Sequence, residues 1–257
     1  WFRCRFRSWF WSWFWSWLRC RFWRWFRCVV QGYRLLTLHI HILNITDDGS
    51  DGRPADPDPA NGMDTIHGGA GNDLMSDPKG KTRMIGGEGD DVYVITRGGE
   101  RVFEAAGEGH DLVRASVSFT LRYHSQHIED LVLTGKRDID GTGNGAGNRI
   151  AGNSGSNALD GAWGDDVLLG GQGADRLSGG RGDDILRGGA GRDAFLFALG
   201  DGHDRIRDFT PGTDRLGFTE DIDLTALSIS RQGQDTVLRY GDDLSVTLDN
   251  LLPGDLT

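Results

Sequence analysis

Beyond Cys28 the sequence contains no cysteine, so neither a disulfide framework nor a thiolate metal site is available to the rest of the chain. Proline is sparse, six in 257 residues, which excludes a collagen-like reading of a chain with 40 glycines. No apolar run approaches the roughly 20 residues of a spanning helix, and the mean hydropathy is −0.42. Basic residues are scarce once the first 28 positions are set aside. Seven of the 28 Lys and Arg lie there with none of the acids, leaving 21 basic against 38 acidic residues, a formal charge of −17. So acidic a chain lacks the basic footprint that nucleic acid requires. It favours bound cations, or self-repulsion that keeps an unliganded chain open. Two motifs are missing as well. Without H-E-x-x-H there is no zinc-protease site, and without G-x-S-x-G there is no nucleophile elbow.

The first 28 residues have a composition of their own, with eight of the nine Trp, six of the twelve Phe and all three Cys. Every odd position is Trp or Arg, and every even one is Phe, Cys, Ser or Leu, apart from Arg24. Period two reads as a strand, and Trp/Arg alternation reads as a membrane-active peptide, yet both faces are aromatic and no turn interrupts the run. No signal peptide fits, because an aliphatic core and a small-residue cleavage site are missing. The genetic code offers a plainer account. Trp is TGG and Arg can be CGG, while Phe, Cys, Ser and most Leu codons begin with T. Shifted by one base, the same DNA reads Gly at alternate codons with Ser, Ala or Pro between, a flexible linker. Residues 1–34 are therefore expected to be a low-complexity, disordered tract read out of frame. Residue 1 is Trp and the first Met is Met63, so the same account expects the natural protein to continue upstream. Membrane contact is expected only if this tract is genuine.

Residues 35–58 join a strand to a linker. Leu35–Ile45 alternates Leu/Ile with Thr/His, as one strand would, with His39 and His41 on one face as solvent-facing polar positions rather than a metal pair. Asn44-Ile45-Thr46 matches a glycosylation sequon, too short a pattern to carry weight. Asp47–Ala60 holds three of the six prolines and reads as linker.

A nine-residue period organises the remainder. It stands as GGAGNDLMS from Gly68 and GGEGDDVYV from Gly86, with a degenerate unit (Asp77–Ile85) between them and a weak copy at Pro59–His67. A second array is unbroken: GNSGSNALD from Gly152, GAWGDDVLL from Gly161, GGQGADRLS from Gly170, GGRGDDILR from Gly179 and GGAGRDAFL from Gly188. Glycines permit left-handed turns closed to residues with a Cβ. Such turns aim carbonyl oxygens inward, and the Asp at position six adds a carboxylate; these are the hard oxygen donors Ca²⁺ takes six to eight at a time. Each unit ends in a minimal strand whose middle residue is apolar: Leu159, Leu168, Leu177, Leu186 and Phe195 in the second array. One unit buries almost nothing, so stability must come from stacking.

This pattern resembles the haemolysin-type calcium-binding (RTX) modules of proteins exported by bacterial type I secretion, over about Pro59–Thr257. The resemblance implies an all-β fold, a right-handed parallel β-roll with two nonapeptides per turn. It comes in two segments, 59–95 and 143–203, separated by a β-rich insert (96–142) and closed by a cap and secretion region (204–257). It implies Ca²⁺ held between one turn loop and the loop two repeats later. That pairs Asp73 with Asp91, Asp166 with Asp184 and Asp175 with Asp193, together with the leading glycines Gly68, Gly86, Gly161, Gly170, Gly179 and Gly188. Asn157 would pair with Asp175 in a weaker, neutral site. Lys79, Lys81 and Thr82 supply no carboxylate, so no good site is expected there. Side chains of Asp90, Asp165 and Asp183, at position five, are expected to face solvent. The insert is expected to hold strands at Val117–Leu121 and Leu131–Leu133, and its histidines (His110, His124, His127) form no zinc pattern. His203, in a final degenerate copy, reads as turn. Asp204–Phe218 resembles the segment that follows the last roll turn in secreted relatives, with strands at Thr236–Tyr240 and Leu244–Leu248 finishing the cap. The ending LPGDLT resembles natural C-termini of relatives and is expected to be the end of the gene. The function expected is a secreted, extracellular, non-enzymatic calcium module whose partners are calcium ions and the type I secretion apparatus. The alternative is the C-terminal module of a secreted enzyme or toxin whose catalytic domain lies upstream.

Overall fold

A computed structural model describes residues 44–46, 64–77, 81–123 and 127–256. The 1–34 tract with its frame and membrane readings, the strand of residues 35–43 with His39 and His41, the linker, Lys79 and His124 lie outside the described residues.

Alternating short strands and glycine turns wind the chain into a parallel β-solenoid. In the second array Ala158–Trp163, Arg176–Arg181 and Ala194–Phe197 stack in one sheet, while Val167–Gln172 and Ile185–Ala190 stack in the sheet facing it. Consecutive repeats thus fall on opposite sheets, and every second repeat pairs in parallel: Leu159 with Leu177, Leu177 with Phe195, Leu168 with Leu186. Because strand side chains alternate in direction, only the middle residue of each three-residue strand enters the space between sheets. Those residues form the core, fully or almost fully buried: Leu159, Leu168, Leu177, Leu186 and Phe195.

The two sheets differ in continuity. One runs unbroken through eleven strands, from Leu74–Ser76 through Val92–Ile95, Leu112–Ala115, Asp130–Leu133 and Arg149–Ala151 into the second array and the cap. The opposite side is split into a four-stranded sheet ending at Arg101–Phe103 and a six-stranded sheet beginning at Phe119–Thr120. Residues 96–142 depart from the repeat in sequence yet continue the solenoid on one face. Inward apolar residues are kept there (Val113, Ala115 and Leu131, all fully buried), and surplus residues are absorbed in turns. Tyr93 pairs with Val113, twenty residues on, where a regular turn takes the eighteen that separate Leu168 from Leu186. The expected strand at Val117–Leu121 shortens to Phe119–Thr120, and that at Leu131–Leu133 begins one residue earlier.

Both ends are closed by antiparallel pairing. Asn44–Thr46 runs antiparallel beside Asp64–Ala70. At the other end Leu244–Leu248 pairs in parallel with Gly202–Ile206, and Asp235–Tyr240 and Ser228–Gln232 follow as an antiparallel meander. The last strand, Ser-Ile-Ser-Arg-Gln, is exposed throughout, a polar edge that discourages further strand addition. Arg205 holds the cap with a 2.9 Å hydrogen bond to Asp235 and an ion pair of 2.6 Å with Asp249, and Arg207 donates to Asp249 at 3.0 Å. Among the described residues no helix is long and apolar enough to cross a membrane.

Candidate metal centre

Within one repeat the glycines have two jobs. Gly171 and Gly173, at positions two and four, adopt φ of 108° and 121°, a left-handed backbone that side chains disfavour. Gly170, at position one, is needed for space. A Cβ there would stand less than 3.0 Å from both the Asp175 carboxylate and the carbonyl oxygen of Gly188 in the next turn. The same crowding recurs at Gly161, against Asp166 Oδ2 and the Gly179 carbonyl, and at Gly68, against Asp73 Oδ2 and the Gly86 carbonyl. At Gly86, Gly179 and Gly188 the carboxylate of the repeat's own Asp also comes that close. All six leading glycines assigned from sequence thus lie against the position-six carboxylates, and three of them are seen beside a carbonyl of the following turn as well.

Position-six side chains form two rows, one for each set of alternate repeats. In the first row the backbone N–H of Asp73 donates to Asp91 Oδ1 (2.7 Å), Asp91 to Asp111 (2.8 Å), Asp166 to Asp184 (2.8 Å) and Asp184 to Asp204 (3.1 Å). In the second row Asn157 donates to Asp175 (2.8 Å), Asp175 to Asp193 (2.9 Å) and Asp193 to Asp214 (3.0 Å). Every pair expected from the sequence is brought together, one turn apart. One oxygen of each carboxylate is thereby fixed. The other, Oδ2, is buried without a hydrogen-bond partner in Asp91, Asp166, Asp175, Asp184 and Asp193. These side chains are no more than 2% exposed, and an ionised group so placed is costly unless a cation meets it.

Asparagine at the same position behaves differently. Asn157 turns its Nδ2 into a 2.6 Å bond to the Ile139 carbonyl, and Asn148 donates to the Ile128 carbonyl at 2.8 Å. An amide bonds a carbonyl of the preceding turn; a carboxylate cannot donate when ionised and makes no such bond. Thr82 is buried, and its hydroxyl donates to Asp77. Asp90, Asp165 and Asp183 are exposed as expected. They also brace the stack, since Asp165 Oδ1 accepts the Asp183 N–H at 2.9 Å and Asp183 Oδ1 accepts that of His203 at 2.9 Å.

Electrostatics agree with the geometry. Burial first, and neighbouring carboxylates second, push Asp166 up to about 8 and Asp175 and Asp91 up to about 6. Asp184 and Asp204, one turn apart, are both raised by burial, and for Asp204 the charge of Asp184 is the next largest cause. The donor set is oxygen throughout, anionic and water-poor, which suits a hard divalent cation.

Sequence comparison points the same way. The RTX calcium-binding nonapeptide repeat matches four stretches, residues 60–76, 142–177, 160–195 and 169–206. The chain carries RTX calcium-binding nonapeptide repeats. The chain resembles parts of two Rhizobium meliloti (strain 1021) proteins. One, endo-1,3-1,4-beta-glycanase ExsH, is 43% identical over 89 residues, and the other, endo-1,3-1,4-beta-glycanase EglC, is 38% identical over 88. Each match takes in 34% of this chain and only 18% of the relative. Among solved structures, a subunit of the Azotobacter vinelandii mannuronan C5-epimerase matches at 31% identity over 45% of this chain and 73% of its own, with a TM-score of 0.32.

Five residues of the rows escape a reading by nonapeptides: Asp111, Asp204, Asp214, Glu129, whose Oε2 accepts the Asp111 N–H at 2.8 Å, and Asn148, whose N–H donates to Asp166 Oδ1 at 2.6 Å. Asp111 and Asp204 sit in degenerate copies whose Gly-x-Gly-x-Asp signal is visible, but the turns that carry them are twenty residues long. Asp214 follows Asp193 by twenty-one and has no glycine pattern around it.

Proposed function

We propose that the RTX region is a non-catalytic folding module that stays open in calcium-poor cytosol and closes into the solenoid after export. The ligands are Asp73, Asp91, Asp166, Asp175, Asp184 and Asp193, with carbonyl oxygens of Gly68, Gly86, Gly161, Gly170, Gly179 and Gly188. The observation that carries the proposal is the contrast within one row position. Asn157 and Asn148 donate through Nδ2 to a carbonyl of the preceding turn, whereas Asp91, Asp166, Asp175, Asp184 and Asp193 each present a buried oxygen with nothing to meet it. Bound Ca²⁺ supplies the positive charge that these oxygens lack. Without it the carboxylates repel one another along both rows. The narrow core, one apolar side chain per repeat, then cannot offset chain entropy. Millimolar calcium outside the cell is the range in which extracellular modules bind, so binding becomes folding. Segments 59–95 and 143–203 act as the calcium rolls, and 204–257 acts as the cap and the region read by the type I exporter.

Circular dichroism of the full chain in chelator, calcium and magnesium tests this. A gain of β signal with Ca²⁺ alone is expected; no gain, or an equal gain with Mg²⁺, rejects it.

The 43% identity to part of a glycanase supports a second reading, in which the module serves a secreted polysaccharide-cleaving enzyme as its C-terminal part. Sequencing the DNA upstream in all frames tests it, with a catalytic domain expected and an unrelated or absent reading frame against it.

A further inference from the structure

One turn departs from the pattern. Register places Glu104 directly after Phe103, which pairs with Ile85, so Glu104 stands where the turn above Gly86 would carry its leading glycine. At Gly68, Gly161 and Gly170 that glycine offers a carbonyl oxygen; at Gly86 the Glu104 side chain takes the place. A Cβ on Gly86 would stand less than 3.0 Å from Asp91 Oδ2, Glu104 Oε1 and the Tyr93 hydroxyl together. Carboxylate oxygens of Asp91, Glu104 and Asp111 all lie within 4.8 Å of one another. The second observation is the buried orphan. Asp91 is 1% exposed, and its Oδ2 faces this cluster without a hydrogen-bond partner. Neighbouring groups fix the other oxygens. Asp111 Oδ1 accepts the Asp91 N–H at 2.8 Å, and Glu104 Oε1 accepts the Tyr93 hydroxyl. The remaining Glu104 oxygen is buried and unpaired.

We infer that Asp91, Glu104 and Asp111 form a three-carboxylate calcium site where the four-stranded sheet ends, with Glu104 replacing a glycine carbonyl by a charge. The inference rests on the reading that these turns bind calcium. Ligand charge count tunes calcium affinity. This site therefore fills before the glycine-turn sites and fastens residues 101–115 to the first roll.

Calcium bound per full chain, counted by equilibrium dialysis, is the test, with Glu104→Gln and Asp111→Asn as variants. Both substitutions keep an acceptor oxygen for the bonds described above. Each variant, and the double variant, should bind one ion fewer than the wild type, and the first-filling step of the titration should disappear. An unchanged count in either folded variant overturns the inference. Should a variant fail to fold in calcium, Glu104→Asp decides: it keeps the charge but withdraws the oxygen. It should keep the count and raise the midpoint of the first step about tenfold, and an unmoved midpoint overturns the site. A wild-type chain that binds no calcium would instead overturn the broader reading, so the two failures are distinguishable.

Discussion

The backbone N–H of Asp166 donates to Oδ1 of Asp184, 2.8 Å away and one solenoid turn further on. Asp91, Asp166, Asp175, Asp184 and Asp193 are each held in this way by the turn before, while the second oxygen of each is buried without a partner. The two oxygens can be separated by substitution. Asp184→Asn keeps the acceptor and removes the charge, and Asn148 and Asn157 show that an amide can also close such a turn. In calcium the variant should raise the midpoint of folding about tenfold, or ~1.4 kcal/mol. In chelator it should be more stable than the wild type, because a buried charge beside Asp204 has gone. Asp184→Ala, which strands the Asp166 N–H, should lose a further ~1–3 kcal/mol in calcium. Thermal melts of the three proteins in both buffers check this, and equal melts for Asn and Ala in calcium would refute it.

The same burial fixes the sign of the pH dependence. Without metal, Asp91 and Asp175 titrate near 6 and Asp166 near 8 in the folded chain, against an ordinary 3.8. The folded form holds its protons more tightly than the unfolded form, so stability is greatest below about 4 and is lost as the pH rises towards 8. In chelator, lowering the pH from 8 to 5 should therefore increase β signal. Calcium requires the ionised carboxylates, so its midpoint should move the opposite way, rising as the pH falls. Dichroism at a series of pH values, with and without calcium, reads both limbs. A chelated chain that gains no structure on acidification would count against the buried rows.

Legibility followed periodicity. The nine-residue spacing displays the second array because each Leu or Phe and each Asp recurs without a slipped residue, and stacking follows from two repeats per turn. Residues 96–142 were harder to read, because a solenoid can keep its register through one apolar residue per turn. Val113, Leu131 and Ile150 hold the long sheet together while the turns around them vary in length. Glu104 is invisible to any motif search. It precedes the degenerate copy at Gly107–Asp111 and belongs to no repeat, and only the pairing of Ile85 with Phe103 places its carboxylate against Asp91. The separate roles of the glycines were likewise hidden, since position one is crowded and positions two and four are left-handed.

Ala162 tests that division of labour. It occupies position two of its repeat with φ of 81°, where the repeats from Gly68, Gly86, Gly170, Gly179 and Gly188 place glycine. A residue with a Cβ is strained there by roughly 1 kcal/mol or more, partly offset by the extra freedom glycine gives the unfolded chain. Ala162→Gly should therefore raise the melting temperature in calcium by a few degrees at most, without changing the number of ions bound. Gly171→Ala should do the reverse and more strongly, because its Cβ would also press on the Asn153 carbonyl. If both substitutions lower stability equally, backbone conformation is not what selects glycine at position two.

The cap offers a test independent of calcium. Asp249 is almost wholly enclosed, with a side chain 7% exposed; it accepts a hydrogen bond from Arg207 and forms an ion pair with Arg205. The arginines are about 40% exposed, so solvent weakens the pairs relative to fully buried ones. Asp249→Asn should cost about 1–2 kcal/mol, since charge-assisted bonds to a mostly buried group are lost while the side chain still fills its site. For a chain this long that corresponds to a fall of several degrees in melting temperature. Calcium stoichiometry should stay as in the wild type, because Asp249 belongs to neither row of position-six carboxylates. Fewer ions bound by the variant would mean that the cap organises the last turns of the roll, and that closing the end of the solenoid and loading it with metal are a single step.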